Sequence, residues 1–441
     1  MTTAATPEAE CARARDLLAE GDARDAFAAL RPVLGYPAAP DDALLREGLD
    51  VLSGIAAELM GERLAGLLSW VKDRLDDSEA LYDAAYALYE QKIHDLAATL
   101  LMRANRALPG STTIVTELSA NLEALLLHAH AAAVLRASGL CETDATCAYL
   151  YGYNALLSGD VEAARPVAES LRGLADGSLE YMGAALGGMV ARADAIRGAS
   201  PLDDRDLAGW HLVINGAVLL HLSPYGFEDA MRGRYAYVTD SYARIREGLD
   251  RLGLTLSTAQ VPVTRIFSLP DRASRIVARA AAELFDVPYQ DFPEGGDEGR
   301  ALVIAYDLDC AASAGVLERL REHRPGQVLF AHASCWTDPF PYAPDVTTYL
   351  YQANVAPWDG GGLMVDPDVQ AEPDESTEDV LAARIIAATG EHESVSSEQQ
   401  LAAMVAAARR LAGDSAAGLF RTGGQRLRQR VGSPVWSNRF T

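Results

Sequence analysis

The stretch of sequence that decides the fold of the second half of the chain is ALVIAYDLDCAASAG, residues 301–315. Its first six residues are continuously apolar, which is typical of a strand buried on both faces of a parallel sheet. Asp307 and Asp309 follow this strand, and a loop of small residues then leads into a helix. Ligands of open parallel sheets bind outside the carboxyl ends of the strands. The pattern therefore predicts a polar site at this strand end.

Strand and helix patterns alternate on both sides of this stretch. Strands are predicted at 234–238, 263–269 and 327–334, and helices at 240–253, where Asp240 is the expected N-cap, at 271–285 and at 315–323. Such alternation predicts a parallel sheet with right-handed crossovers. Asn215-Gly216 lies between two apolar runs and favours a β-hairpin with strands at 210–214 and 217–222. We expect an α/β domain over 207–365 whose mostly parallel, mixed sheet carries this hairpin at its edge.

The first half of the chain has helical spacing and an internal period. Four alanines in matching contexts, Ala26, Ala97, Ala131 and Ala164, are separated by 71, 34 and 33 residues, and one unit around Met60 matches poorly. This spacing resembles the tetratricopeptide repeat, a helix–turn–helix unit of that length. The resemblance implies a helical solenoid over 8–198 whose groove binds a protein or peptide. Packing against the second half, or dimerisation, is the alternative.

A set of tyrosines in this helical half is compatible both with a peptide-binding groove and with packing between helices. Packing between helices is the favoured interpretation, and lining of the groove by some of them is the alternative. The set comprises Tyr82, Tyr86, Tyr89, Tyr149, Tyr151 and Tyr153.

Composition limits the classes of function. The 441 residues are too many for one core, and 38 basic against 62 acidic residues give a net charge of −24, which disfavours nucleic acid as a partner. Only Lys72 and Lys92 are lysines, so no Schiff base or P-loop lysine exists in the second half. The five scattered cysteines fit a reducing compartment. No signal peptide or bilayer-spanning run is recognisable, so we expect a cytoplasmic protein without a membrane partner.

The remainder of the chain divides into three segments. Residues 335–365 are rich in aromatic residues and prolines, and are predicted to form a long ordered loop. Residues 366–379 are strongly acidic and read as a linker or flap. Residues 380–441 contain C-terminal helices and a basic tail, whose docking against the acidic body is favoured over phosphate capture.

The central stretch resembles the ribose-phosphate-binding segment of type I phosphoribosyltransferases. The resemblance rests on the order strand, acid-x-acid, small-residue loop and helix. It implies a Rossmann-like domain in which Asp307 and Asp309 contact the ribose hydroxyls. The loop that includes Ser313 and Gly315 would hold the 5′-phosphate.

Three other interpretations of the acid pair stay open. In a haloacid-dehalogenase-like phosphotransferase one Asp attacks phosphorus and the other is the acid, with Ser334 holding phosphate and Asp366 and Asp368 as Mg²⁺ ligands. Asp-x-Asp after a strand also resembles the metal motif of nucleotide-sugar transferases. The third interpretation is strand-end capping with no chemistry.

The predicted site collects polar and aromatic residues near these strand ends. The expected catalytic residues are Asp307, Asp309 and His332, and the same two acids would hold Mg²⁺ if the protein is a transferase. The cofactor is otherwise unknown. The predicted substrate-binding residues are Ser313, Gly315, Ser334, Trp336, Asp338, Tyr349, Asn354 and Trp358.

Two functions are consistent with this site. The first is a partner-binding scaffold whose α/β domain binds a small molecule or phosphosugar, with or without activity. The alternative is a phosphoribosyl- or glycosyltransferase whose repeat domain presents a protein or peptide acceptor. An enzyme requires Asp307 and Asp309 to be accessible together in a cleft, whereas a scaffold does not.

Overall fold

A computed structural model describes residues 5–172, 177–225, 231–293, 300–309, 314–324, 326–337, 340–360, 372–389, 394–411, 426 and 434–437. The chain forms two compact units, Met1–Leu186 and Gly187–Thr441. The first is helical, and the second contains a parallel sheet with helices, as the sequence predicted. No helix within these described ranges is long and apolar enough to cross a membrane.

Within the described residues, five helix pairs lie between residues 7 and 170, and a longer helix that begins in the first unit continues into the second. Side-chain caps such as Asp22, Asp77 and Asp160 accept backbone N–H groups at the starts of several helices. The helices are α1 (Pro7–Ala19), α2 (Ala23–Leu34), α3 (Asp42–Leu59), α4 (Glu62–Val71), α5 (Ser78–Glu90), α6 (His94–Ala107), α7 (Thr112–Ala124), α8 (His128–Ser138), α9 (Ala145–Leu157), α10 (Val161–Ser170) and α11 (Gly177–Ile196).

The alanines that marked the sequence period occupy one structural position. Each is the fourth residue of the second helix in its pair and is fully buried, where a small side chain lets two helices approach closely. Ala65 takes this position in the unit that matched poorly. The 71 residues between Ala26 and Ala97 therefore contain two units. The unit around Met60 is longer than the others because α3 has 18 residues.

The α/β unit is organised around a seven-stranded sheet of order β1-β7-β6-β5-β3-β4, with β2 also paired to β7. Its elements are α12 (Leu207–Asn215), β1 (Val218–Leu219), β2 (Tyr235–Thr239), α13 (Tyr242–Ala259), β3 (Ile266–Ser268), α14 (Arg272–Phe285), β4 (Tyr289–Asp291), β5 (Ala301–Asp307), α15 (Ala314–Leu320), β6 (Gln327–Cys335), β7 (Val346–Val355), α16 (Glu378–Ala387) and α17 (Glu398–Ala408). Every strand pairing among the described residues is parallel.

The predicted edge hairpin at 210–222 is wrong. Its first strand is the helix α12, which Asp206 caps by accepting the Gly209 backbone N–H at 2.9 Å. Gly216, with φ of 63°, ends this helix in a left-handed conformation instead of forming a hairpin turn. The short β1 then pairs in parallel with β7. The helix is buried all round, so its sequence shows no polar face and resembles a strand.

The prediction of a loop over 335–365 missed a central strand. Residues 346–355 form β7, which pairs with β6 on one side and with both β1 and β2 on the other. Its first five residues are all buried. A related correction concerns α13, whose N-cap is Ser241 rather than Asp240.

Of the described residues of the basic tail, Arg426 and Val435 are buried in the α/β unit. The Arg426 side chain is fully buried and pairs with Asp345 at 3.1 Å. The guanidinium also donates to the carbonyl oxygens of Leu320 and Glu322. Burial alone would raise the pKa of Asp345, but Arg426 and His323 lower it below its usual range. The positive charge of Arg426 therefore compensates the negative charge of the buried Asp345 carboxylate, which lies between β6 and β7 in the sequence.

Gly248 allows α13 to lie against the sheet, and its substitution provides a test of this packing. A Cβ there would meet Thr348 Oγ1 at 2.6 Å and His332 Nδ1 at 3.1 Å. We expect Gly248→Ala to lower the free energy of unfolding by about 1–3 kcal/mol through overpacking. Gly187→Ala is the matched control, because nothing lies within 4 Å of its added Cβ and alanine favours a helix by about 0.5–1 kcal/mol. Urea unfolding measures both, and a stabilised Gly248→Ala variant would contradict the packing.

Candidate functional site

The two acids predicted as the catalytic pair occupy different environments. Asp307 is 2% exposed; its Oδ1 accepts the backbone N–H of Asp309 at 3.0 Å, and its Oδ2 accepts a short hydrogen bond from the Tyr351 hydroxyl. Burial and the neighbouring Asp307 carboxylate raise the pKa of Tyr351, so its hydroxyl keeps its proton. Asp309 is exposed. One carboxylate is thus enclosed by the protein and the other faces solvent.

Another buried carboxylate besides Asp307 is that of Asp240, which lies at the carboxyl end of β2 with its side chain fully buried. Its Oδ2 accepts the Tyr306 hydroxyl at 2.9 Å and lies 3.1 Å from His332 Nε2. Its Oδ1 accepts the Ser241 backbone N–H at 2.9 Å and lies 3.6 Å from the Arg244 guanidinium. Residues from β5, β6 and α13 therefore converge on one carboxylate.

The polar contacts continue beyond Asp240 across the sheet. His332 Nδ1 lies 3.1 Å from the Thr348 hydroxyl. On the other side, the Tyr306 hydroxyl accepts Asn354 Nδ2 at 3.0 Å, and Asn354 Oδ1 accepts the Tyr349 hydroxyl at 3.0 Å. Together these residues form a continuous hydrogen-bonded network, which we call the Asp240 network.

Burial and neighbouring charges determine which groups of the Asp240 network carry a proton. Burial alone would raise the pKa of Asp240, but His332 and Arg244 more than offset it, and its pKa lies below its usual range. Burial, reinforced by Asp240, raises the pKa of Tyr306 and of Tyr349 well above the usual value. An ionised carboxylate only accepts hydrogen bonds, so the bond to Asp240 requires the proton on Nε2 of His332.

Aromatic rings enclose the Asp240 network. The Trp358 ring lies 5.3 Å from that of Tyr306, and the Tyr349 ring lies 5.1 Å from that of His332. Trp358 is 2% exposed and His332 is fully buried. His332 therefore presents no ring nitrogen to solvent, whereas Asn354, at the other end of the network, is half-buried.

The structure brings together only part of the predicted site. His332, Tyr349, Asn354 and Trp358 meet in and around the Asp240 network, whereas Asp307 bonds to Tyr351 and to the Asp309 backbone. The other predicted residues have varied positions: Gly315 is exposed on α15, Ser334 is 6% exposed on β6, and the half-buried Trp336 donates its indole N–H to the Tyr235 carbonyl at 3.3 Å.

Four predicted residues, Ser313, Asp338, Asp366 and Asp368, lie outside the described residues. Within the described ranges no group of three or more His, Cys, Asp or Glu residues is placed to hold a metal ion. Both oxygens of Asp307 accept hydrogen bonds from the protein. The metal-binding role of Asp307 and Asp309 therefore stays a prediction.

Asp240, Tyr306 and Tyr351 were not predicted as site residues. Asp240 was interpreted as a helix cap, although it directly follows β2 and so lies at a strand end, as does Asp307, the last residue of β5. That shared pattern, an acid at the end of a strand, is the signal that could have identified it. Nothing local in the sequence indicates that Tyr351 reaches Asp307.

Known proteins provide no family assignment. A scan against protein-family models finds none that matches the chain, and a search of curated proteins finds no matching relative. The function is therefore inferred from the residues and their geometry.

The pH dependence of stability tests the ionised state of Asp240. Its lowered folded-state pKa means that its stabilisation is fully present above the unfolded-state pKa of about 4 and is lost as the pH falls through the folded-state value. We expect Asp240→Asn to lower the free energy of unfolding at pH 7 by about 3–5 kcal/mol. The difference from the native protein should shrink between pH 5 and pH 3, measured by urea unfolding at about six pH values.

The exposed Asp359, at the same end of the sheet, is the matched control. Asp359→Asn should change stability little at any of these pH values, since an exposed carboxylate loses little by neutralisation. A deficit in Asp240→Asn that stays constant down to pH 3 would show that Asp240 acts through its shape and hydrogen bonds rather than its charge.

Proposed function

We propose that the protein is a cytoplasmic binding scaffold in which a tetratricopeptide-like helical unit docks a protein or peptide. In this proposal the α/β unit binds a small molecule or phosphosugar without transferring a group. The observation that carries the proposal is the state of Asp307, which is buried with both carboxylate oxygens bonded to the protein.

The geometry of Asp307 argues against the transferase alternative. Asp307 is 2% exposed, and each of its oxygens already accepts one hydrogen bond from the protein, so ribose hydroxyls or a Mg²⁺ ion would reach its remaining lone pairs only if the surrounding residues moved. A carboxylate used in every catalytic cycle is better left facing the substrate. A structural role for Asp307 needs no such exposure.

Regular contacts between helix pairs support the docking role of the helical unit. His94, the first residue of α6, hydrogen bonds to Asn121 of α7 at 3.1 Å, and His128, the first residue of α8, hydrogen bonds to Asn154 of α9 at 2.8 Å. Both asparagines are the tenth residue of their helix. Successive pairs therefore use the same contact, as expected of stacked repeats that form a continuous surface.

A thermal-stability series separates the scaffold from the transferase. The ligands are phosphoribosyl pyrophosphate, nucleoside diphosphate sugars and simple phosphate esters, each with and without Mg²⁺, on the native protein and on Asp307→Asn/Asp309→Asn. Saturation at about 100 times Kd should stabilise the fold by about 2.7 kcal/mol, a shift of several degrees. We expect any stabilisation to be independent of Mg²⁺. A Mg²⁺-dependent shift that the double variant loses would establish the transferase instead.

A further inference from the structure

The first helices of three successive pairs, α5, α7 and α9, have an unusual distribution of charge. Each has thirteen residues, and none contains a lysine or an arginine. Together they carry five acids, namely Glu79, Asp83, Glu90, Glu117 and Glu123. Neighbouring surface helices normally mix both signs of charge. These three helices therefore carry acids but no lysine or arginine of their own, although Glu90 pairs with Arg63 of α4 at 3.4 Å.

Stacked tyrosines occupy equivalent positions on the two outer helices of this set. On α5 the ring of Tyr86 lies 6.2 Å from that of Tyr82 and 6.2 Å from that of Tyr89, with interplanar angles of 18° and 25°. On α9 Tyr149 and Tyr153 stack at 5.7 Å and 25°. Tyr86 and Tyr89 are 40% and 37% exposed. The face of a tyrosine ring attracts cations, arginine in particular.

The middle helix, α7, places an acid beside each tyrosine stack. Burial and then the Glu117 carboxylate raise the pKa of Tyr82, and burial and then Glu123 raise the pKa of Tyr149 to about 12. Contacts also tie the two acids to the stacks. Glu123 accepts a hydrogen bond from Asn154 of α9 at 2.6 Å. Glu117 accepts one from Asn121 at 3.5 Å, Asn121 lies 3.1 Å from His94, and the His94 ring packs 5.4 Å from that of Tyr89. We call Tyr82, Tyr86, Tyr89, Glu117, Glu123, Tyr149 and Tyr153 the tyrosine–glutamate face.

Neither glutamate of this face forms an ion pair with a lysine or arginine of the described chain. Glu123 accepts hydrogen bonds from Asn154 at 2.6 Å and Ser119 at 3.2 Å, and Glu117 from Asn121 at 3.5 Å. Burial raises the pKa of both carboxyls.

Other acids of the same unit have cationic partners. Asp95 pairs with Arg31 at 2.6 Å and Asp42 with Arg103 at 2.5 Å. The two glutamates are therefore partly desolvated without an ion pair to a lysine or arginine of the described chain, and only for Glu117 does a nearby His94 partly offset the effect of burial on the pKa.

We propose that the tyrosine–glutamate face binds an arginine-bearing segment of a partner protein. This inference rests on the docking function proposed above and names the class of partner. A guanidinium is planar, stacks on aromatic rings and donates two parallel hydrogen bonds to a carboxylate, which suits a surface where both groups alternate. Its charge compensates the half-buried glutamates. The negative charge of the two glutamates repels acidic peptides and nucleic acid.

Fluorescence anisotropy with the full chain tests this assignment. The probes are labelled twelve-residue peptides in which every second residue is Arg, Lys, Gln or Glu, separated by Gly and Ser. We expect the Arg peptide to bind more tightly than the Lys peptide, and the Gln and Glu peptides to bind much more weakly. Glu117→Gln/Glu123→Gln should weaken Arg-peptide binding roughly tenfold or more. Tyr86→Ala should weaken it about two- to fivefold.

Glu58→Gln/Glu169→Gln is the matched control, because it removes two exposed charges from α3 and α10 of the same unit. We expect it to change binding less than twofold. The Glu→Gln changes keep the side-chain length and an acceptor for Asn154, and circular dichroism checks that the helices are intact. Equal losses in both double variants would overturn the proposal, because they would indicate attraction to net charge alone.

The peptide panel also separates this inference from the proposed docking function. Binding without a preference for Arg, or binding of the Glu or Gln peptide that depends on Tyr86, overturns the arginine-bearing partner but leaves peptide docking by the helical unit in place. Failure of all four peptides to bind overturns the inference and counts against that docking function as well.

Discussion

The buried carboxylate of Asp240 constrains much of the α/β unit. A charge without solvent must be matched by hydrogen bonds and a nearby cation, because leaving it unpaired costs several kcal/mol. Tyr306, His332 and Arg244 provide these contacts from β5, β6 and α13. The positions of those three elements are thereby tied to the end of β2. The close approach of α13, which Gly248 permits, follows from the same requirement.

Two further carboxylates of the sheet are satisfied in the same internal manner. Asp307 accepts bonds from Tyr351 and from its own loop, and Asp345 pairs with the buried Arg426. The acids at and near these strands thus stabilise the packing of the sheet. This is why the proposed function relies on binding surfaces.

On one face of the helical unit, by contrast, two partly buried acids have no lysine or arginine partner within the described chain. Its repeat spacing places equivalent residues of α5, α7 and α9 next to one another, so residues far apart in sequence build one surface. On that surface Glu117 and Glu123 lie between tyrosine stacks without an ion pair to a lysine or arginine of the described chain, although acids elsewhere in the unit are paired. The lack of such a pair marks the tyrosine–glutamate face as the part of the unit best suited to a cationic partner.

The sequence by itself determined the features that depend on local pattern. The alanine period located the second helices of the pairs, and the apolar runs located β5 and β6. Both signals depend only on the spacing of apolar residues within a short stretch of sequence. The helix α12 and the strand β7 were not predicted. Both are enclosed by other elements, so their sequences lack the regular alternation of polar and apolar residues that identifies a helix or strand with one exposed face.

Only the tertiary structure decided the roles of the acids. Asp240 and His332 are 92 residues apart and Asp307 and Tyr351 are 44 apart. Local sequence gives the side chains but not which of them will meet, because those contacts depend on how the strands are ordered in the sheet.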